Sequence, residues 1–377
     1  VVRVVAFGTG HFLRGYWFPF VVAMNARAAW KGRVTVVKPT PGALGAGWSS
    51  VSAGYALTVR GVRDGLPISE SELVNVIDSV VHPGEEFDAF LALARDPEVG
   101  VVVSNTTEAG LAASPNDGAD LRPSPSYPGK LTRFLWERYL ALGSRSAPLV
   151  LLPFELVETN GALLRSLVTA LARAWYADSG FDAWLDQACL WYDTLVDRIV
   201  PGHDEASADP LATVAEPYHL LVLQGPARED LLPLRKAGIN AVWTDDLRPW
   251  RERKVRILNG GHTFLALAGT AAGFTTVGEA LADPTLRADL FRFWDEEVLP
   301  FLAGDRAELS AYRDAVVDRF ANPYVKHQLS AILLNTPAKI QARIVPSAQA
   351  YLVAHGRPAP LCTRILALAE ATQGAPR

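Results

Sequence analysis

Lys254, Asn259 and His262 stand at intervals of five and three in the stretch Lys254-Val255-Arg256-Ile257-Leu258-Asn259-Gly260-Gly261-His262. An ammonium, a carboxamide and an imidazole in so short a span can carry a proton, donate to an oxygen and orient a hydroxyl. That set suits a carbonyl or alcohol substrate. On an α-helix the two offsets are about 500° and about 300°, and the first reduces to about 140° once a whole turn is removed. The three side chains therefore leave a single stripe, and a helix entering a cleft beside its preceding loop is needed to bring them to one point. An ordinary helix start accounts for the same letters, with Asn259 capping, Leu258 and Phe264 packing, and Lys254 solvated.

A second constellation opens the chain. The apolar run from Val1 to Phe7 reads as a buried strand, and Gly8-Thr9-Gly10-His11-Phe12-Leu13-Arg14-Gly15 follows at once. Gly8 permits a tight turn and Gly10 lets backbone approach a pyrophosphate. A helix starting near Phe12 would aim its N–H groups at that anion. Leu13 stands where the dinucleotide fingerprint has its third glycine, so a plain strand-to-helix turn also explains the pattern. The next strand ends at Lys38, where an acidic residue would hold an adenosine ribose, which leaves NAD and NADP both open. Val99–Ser104 is another buried strand. Asn105, Thr106 and Thr107 follow it, at the end of a strand where an open α/β sheet binds ligands; they also read as capping groups.

These residues need elements to position them. Strands expected over Val99–Ser104 and Leu149–Pro153 alternate with helices over 85–95, 130–142 and 162–176. Such alternation argues for a parallel sheet with helices on both faces. Further elements are a helix over 182–190 and strands over 55–62, 218–224 and Ala241–Thr244. After His262 the pattern turns helical, over 266–273, 288–301, 309–320, 326–334 and 338–344. The fold class is α/β, with a Rossmann-like dinucleotide-binding domain over 1–200 and a mostly helical substrate domain over 201–377.

Composition bounds the partners. The chain has 377 residues, 49% hydrophobic and 20% charged, with a formal net charge of -4. That is enough for two or three domains with real cores. No basic block marks a nucleic-acid footprint, and no apolar run approaches a membrane span. Cys189 and Cys362 are too few for a disulfide scaffold, which suits a reducing cytoplasm. The start shows no signal-peptide pattern, although without an initiator methionine residues can be absent at either end. His203, Asp204 and His219 are too scattered for zinc, so no metal is expected. Lys339 and Arg343, at an i,i+4 interval, share a helix face and can clamp a carboxylate; facing water they would do little.

The Lys254-Asn259-His262 spacing and the Gly8–Arg14 turn resemble the polyol-specific long-chain dehydrogenases, the mannitol dehydrogenase family. Similar stretches include 102–110, 127–138, 154–161, 194–202 and 322–328, and together they span nearly the whole chain. The wording of 194–201 and 322–328 points to members that reduce sugar acids. The resemblance implies a metal-independent reductase using a nicotinamide cofactor on a sugar acid or polyol. It implies Lys254 as general acid and base, Asn259 as holder of the carbonyl oxygen and His262 as a substrate-orienting group. Asp197, in Val196-Asp197-Arg198-Ile199, would be an electrostatic partner, and Asn160 would complete the polar cradle. Mannitol-type members carry Cys-Asp-Asn where this chain has Phe154-Glu155-Leu156, so the oxyanion site differs. Lys339 matches a lysine of those members, but their arginine eight positions earlier becomes Ala331. A sugar acid's carboxylate would then meet another cation, for which Lys326, Arg198 and Arg343 are the candidates. The chain also stops soon after 361–371, where the resembling enzymes continue, so it reads as truncated or naturally short. A nonenzymatic cofactor-binding relative is the competing class, disfavoured by the intact Lys-Asn-His set. Oligomeric state is left open.

Overall fold

The computed structural model describes residues 1–374. They form two compact units, the first comprising Val1–Val59, Glu70–Ala215 and His219–Leu247. The second comprises Arg60–Ser69, Glu216–Tyr218 and the chain from Arg248 onward.

The first unit is built on β1 (Val2–Phe7), β2 (Gly32–Val37), β5 (Ile77–Val81), β6 (Val99–Ser104), β7 (Leu149–Pro153) and β8 (Cys189–Trp191). They pair in parallel in the order β5-β2-β1-β6-β7-β8. Both faces are covered, which is why the strands read as unbroken apolar runs. Side chains still alternate. Val4, Ala6, Val101, Val103, Val150 and Leu152 join one core with the helix Trp17–Ala28. Val5, Phe7, Val99, Val102, Leu149 and Leu151 join another, under the helices Phe87–Arg95, Tyr127–Leu142 and Asn160–Trp175. Strand order runs outward from β1 to one side and from β6 to the other, so the topological switch lies between β1 and β6.

The helix expected over 182–190 is shorter, Ser179–Gln187, because Cys189–Trp191 pairs with β7 as the edge strand. The boundary expected at residue 200 also falls later, between Leu247 and Arg248. The reason is a three-stranded sheet of β9 (Asp193–Asp197), β12 (Leu220–Gln224) and β13 (Ala241–Thr244). In it β12 runs antiparallel to β9 and parallel to β13, which ties 219–247 to the first unit. A further sheet combines β3 (Tyr55–Arg63), β4 (Leu66–Val74), β10 (Gly202–His203) and β11 (Thr213–Ala215). Asp64 (φ 54°) and Gly65 (φ 75°) turn β3 into β4, the two left-handed residues that a tight hairpin requires.

The second unit is helical. A single rod runs from Arg248 to Ala271 as an α-helix over Arg248–Arg253, a π-helix over Lys254–Asn259 and an α-helix over Gly260–Ala271. Around it lie the helices Val277–Ala282, Pro284–Arg292, Arg306–Phe320, Thr336–Arg343, Val345–His355 and Pro360–Gly374. Their apolar faces meet in one core that includes Phe264, Leu267, Phe293, Trp294 and Phe320. The helix expected over 326–334 forms only as Leu329–Ile332. Just before it, Gln328 makes an isolated antiparallel bridge to Thr276. No helix of the described residues is long and apolar enough to cross a membrane.

Candidate active site

In the first unit the chain leaves β1 at Gly8 and β6 at Asn105, side by side at the topological switch. The Asn105 N–H donates to the Phe7 carbonyl at 3.0 Å. Gly8 holds φ 138°, and a Cβ there would lie 2.8 Å from the Asn105 carbonyl oxygen. Only glycine fits so close a strand-to-loop approach. Gly10 is exposed with nothing within 4 Å of its Cβ position, and it precedes the helix His11–Gly15. This is the open crevice at strand ends where doubly wound sheets receive a dinucleotide, and its close turn and open second glycine fit a pyrophosphate.

The neighbouring polar residues are more firmly engaged than their letters suggest. Arg14 is 4% exposed, with its guanidinium donating to the Thr9 carbonyl at 2.7 Å and to Thr213 Oγ1 at 3.1 Å. It braces the glycine turn from beneath. Phe12 is half-buried and stacks on Tyr16 with ring centroids 4.8 Å apart. The Lys38 ammonium folds back onto the carbonyls of Thr40 (2.6 Å) and Pro41 (2.9 Å), so it fastens its own loop. Thr106 donates to the buried Glu155 carboxylate from its N–H (2.9 Å) and Oγ1 (3.0 Å), and Ser104 Oγ donates to the other oxygen at 3.0 Å. Burial raises the Glu155 pKa above the ordinary value, and these hydrogen bonds pull against it. Asn105 is half-buried and Thr107 exposed at the mouth of the crevice.

Asn160 is not an open donor. It is 1% exposed, and its Nδ2 reaches the carbonyls of Pro153 (3.0 Å) and Glu155 (3.0 Å) and Thr194 Oγ1 (3.1 Å). Its Oδ1 accepts from the Thr194 N–H at 2.8 Å. A carboxamide with every valence so used clamps the exit of β7 to β9, which replaces the cradle role expected for it. Asp197 ends β9 at 2% exposure. Arg198 donates from Nη1 to the Gly15 carbonyl at 2.8 Å, anchoring the helix after the glycine turn.

In the second unit the π segment changes the geometry expected of an α-helix. Each π turn closes one residue later, from i to i+5; the Gly260 N–H accordingly reaches the Val255 carbonyl. Lys254 and Asn259, five apart, therefore stand one hydrogen-bonded turn apart on the same side of the rod. Asn259 is within the helix (φ -72°, ψ -32°) and makes no side-chain cap, so the helix-start reading is overturned. Between Arg256 and Gly269 only Asn259 and His262 are half-open; every other residue is buried. Lys254 is half-open as well. A polar pair left open in an otherwise sealed rod marks the face that meets solvent or substrate.

Cations surround that face. His262 stacks on Phe320 at 4.2 Å between centroids and meets the edge of His327 at 4.9 Å. Arg343 Nη1 donates to Thr263 Oγ1, next to His262, at 3.2 Å. Lys339 donates to the Ile332 carbonyl at 2.7 Å. Burial, and after it the charge of Arg343, lowers the Lys339 pKa. Burial lowers that of Arg343 too. Lys326 is exposed. Among the described residues no carboxylate pairs with Lys339 or Arg343. Thr263 adjoins His262 in the chain but carries no signal of its own there, and only folding brings His327 beside His262. Among the described residues no group of three or more His, Cys, Asp or Glu side chains is arranged to hold a metal ion.

A doubly wound sheet with a dinucleotide crevice, and a separate helical unit presenting a lysine, an amide and an imidazole, define an NAD(P)-dependent oxidoreductase. The mannitol dehydrogenase Rossmann domain matches residues 2–236 and the mannitol dehydrogenase C-terminal domain residues 246–372, so the chain belongs to the mannitol dehydrogenase family. An altronate oxidoreductase of Halalkalibacterium halodurans is 38% identical over 94% of this chain and 72% of its own length. One from Cronobacter sakazakii is 39% identical over 91% of this chain and 74% of its own. The fold is shared with a substrate-free D-sorbitol dehydrogenase (TM-score 0.85, 22% identity, 98% of this chain and 80% of that one). It is shared also with Pseudomonas fluorescens mannitol 2-dehydrogenase in complex with NAD and D-mannitol (TM-score 0.71, 22% identity, 98% and 78%).

Proposed function

We propose that this protein is a cytoplasmic tagaturonate reductase, interconverting D-tagaturonate and D-altronate with NAD(H). The observation that carries the substrate class is the pair Lys339 and Arg343, without carboxylate partners on one helix, of which Arg343 is linked through Thr263 to the helix of His262. Two cations without carboxylate partners beside a carbonyl-reducing site suit an anionic group on the substrate. The identity to altronate oxidoreductases supports the same choice.

When bound, reduced nicotinamide would supply the hydride for the ketone carbon. Gly8, Gly10, Phe12, Asn105, Thr106 and Thr107 would hold the dinucleotide, with Arg14 and Lys38 stiffening the loops beneath it. As negative charge grows on the carbonyl oxygen, Asn259 donates a hydrogen bond to it and the Lys254 ammonium delivers the proton. One π turn separates the two groups, so both reach one oxygen. His262 orients a neighbouring hydroxyl, and Lys339 and Arg343 receive the carboxylate. In the reverse direction neutral Lys254 takes the alcohol proton while the carbon gives up its hydride, for which oxidised nicotinamide would be the acceptor.

The test is the initial rate of NADH oxidation with tagaturonate, fructuronate and fructose compared side by side. Tagaturonate is expected to give the highest kcat/KM, and Lys254→Ala to lower kcat by about 10²–10⁴-fold. A preference for fructose would replace the sugar-acid reading with a polyol one. Unchanged turnover in the Lys254 variant would remove that residue from the chemistry.

A further inference from the structure

His327 stands outside this proton transfer, yet the second unit holds its ring in a defined position. Its backbone is fastened on both sides: the Val277 N–H donates to the His327 carbonyl at 3.0 Å, and the His327 N–H to the Val325 carbonyl at 3.0 Å. The Gln328–Thr276 bridge and the Leu329 N–H bonded to the Thr275 carbonyl at 2.9 Å extend that attachment. The ring lies edge-on to His262, with an interplanar angle of 73°. Its nitrogens are not sealed, and among the described residues none hydrogen-bonds them.

Cationic side chains lie near the ring on the helix Thr336–Arg343 and next to it in the chain. Lys339 acts on it directly from the helix Thr336–Arg343, and Arg343 lies one turn further along that helix. Lys326 adjoins it in the chain, and His262 faces it from the central rod. The acid on the helix Val277–Ala282, Glu279, is held by Thr275 Oγ1 at 2.7 Å and by the N–H groups of Thr275 (2.9 Å) and Thr276 (3.0 Å). A half-buried ring whose nitrogens no described residue hydrogen-bonds, near Lys339 and Arg343 without carboxylate partners, suits an anion.

We propose that His327 is a specificity-determining residue that hydrogen-bonds the substrate carboxylate together with Lys339 and Arg343, selecting sugar acids over neutral sugars. This rests on the sugar-acid reading above. It has a consequence that a purely structural histidine lacks. Burial, and after it the charge of Lys339, holds the His327 pKa below the ordinary value, so the ring is neutral in the free enzyme near neutrality. A bound carboxylate stabilises the imidazolium and raises that pKa. Binding therefore takes up a proton, and affinity for a sugar acid strengthens as pH falls.

The experiment uses the enzyme–NADH complex, with which altronate forms a dead-end complex, followed by nicotinamide fluorescence. Altritol, which has CH2OH in place of the carboxylate, is the neutral probe. The Kd for altronate is expected to fall about fivefold between about pH 8 and about pH 6, with that for altritol unchanged. His327→Asn should weaken altronate binding about tenfold and flatten its pH dependence; His327→Gln serves as a second variant. Wild-type affinity and slope in folded variants would overturn the proposal while leaving the sugar-acid reading intact, provided that the wild type turns over altronate. Absence of altronate turnover together with equal affinity for altritol would remove the sugar-acid reading itself. If neither variant folds, the wild-type titration decides: a pH-independent altronate Kd overturns the role of His327.

Discussion

Asn160 illustrates how one residue type can serve opposite ends. Its letter suits an oxygen-binding amide, and its surroundings make it a clamp between β7 and β9. Asn160→Ala would take the Oδ1 partner from the buried Thr194 N–H and one donor each from the Pro153 and Glu155 carbonyls. Stability should fall by about 1–3 kcal/mol, read from urea unfolding of the first unit; a loss near zero would deny the clamp. Lys254, Asn259 and His262 were legible because they sit in one contiguous stretch. The clamp was not, since Asn160 acquires its partners across the chain, and His327 was hidden for the same reason. Arg14 and Lys38 were found by position at strand ends, but their engagement with backbone carbonyls is a matter of rotamer and loop path that no spacing records.

At the scale of elements, the rod from Arg248 to Ala271 packs so closely that side-chain volume has little room. A Cβ on Gly261 would run into Trp294 Cζ2 and lie 3.1 Å from Phe320 Cε2. Gly261→Ala is therefore expected to destabilise the second unit by about 1–3 kcal/mol through overpacking, seen as a lower calorimetric Tm. Because Phe320 also stacks on His262, kcat should fall with it; an unchanged Tm would mean that the rod yields. The strands of the parallel sheet were readable because burial on both faces demands continuous β-branched and aliphatic runs. The π segment was not. It differs from α-helix by one residue per turn, too little to leave a period over six residues. The strand Cys189–Trp191 escaped for the same cause, being three residues long.

For the molecule as a whole, the alternation of strands and helices followed by helices alone disclosed two units of different class. Their boundary was misjudged because β12 and β13 are short and find their partner, β9, earlier in the chain. The division also sorts the effects of ligands. A dinucleotide in the crevice of the first unit should stabilise that unit by about 2.7 kcal/mol at 100 times its Kd, detected as a higher Tm with NADH. Gly8→Ala should remove most of that shift, since a Cβ would press on the Asn105 carbonyl. An equal NADH shift in variant and wild type would show the crevice to be elsewhere.

The π turn also has a genetic side. It is equivalent to an α-helix carrying one extra residue, so its loss is a codon deletion and not a substitution. Deleting one residue between Lys254 and Asn259 would restore the α-helix and leave the two at i,i+4, about 40° apart and still on one side of the rod. Rewinding the same six residues as α-helix would instead set them about 140° apart while every functional letter remained in the sequence. A shorter stretch can thus keep the face and an unchanged one can lose it, so the inherited determinant is the match between the length of the stretch and the turn that absorbs it.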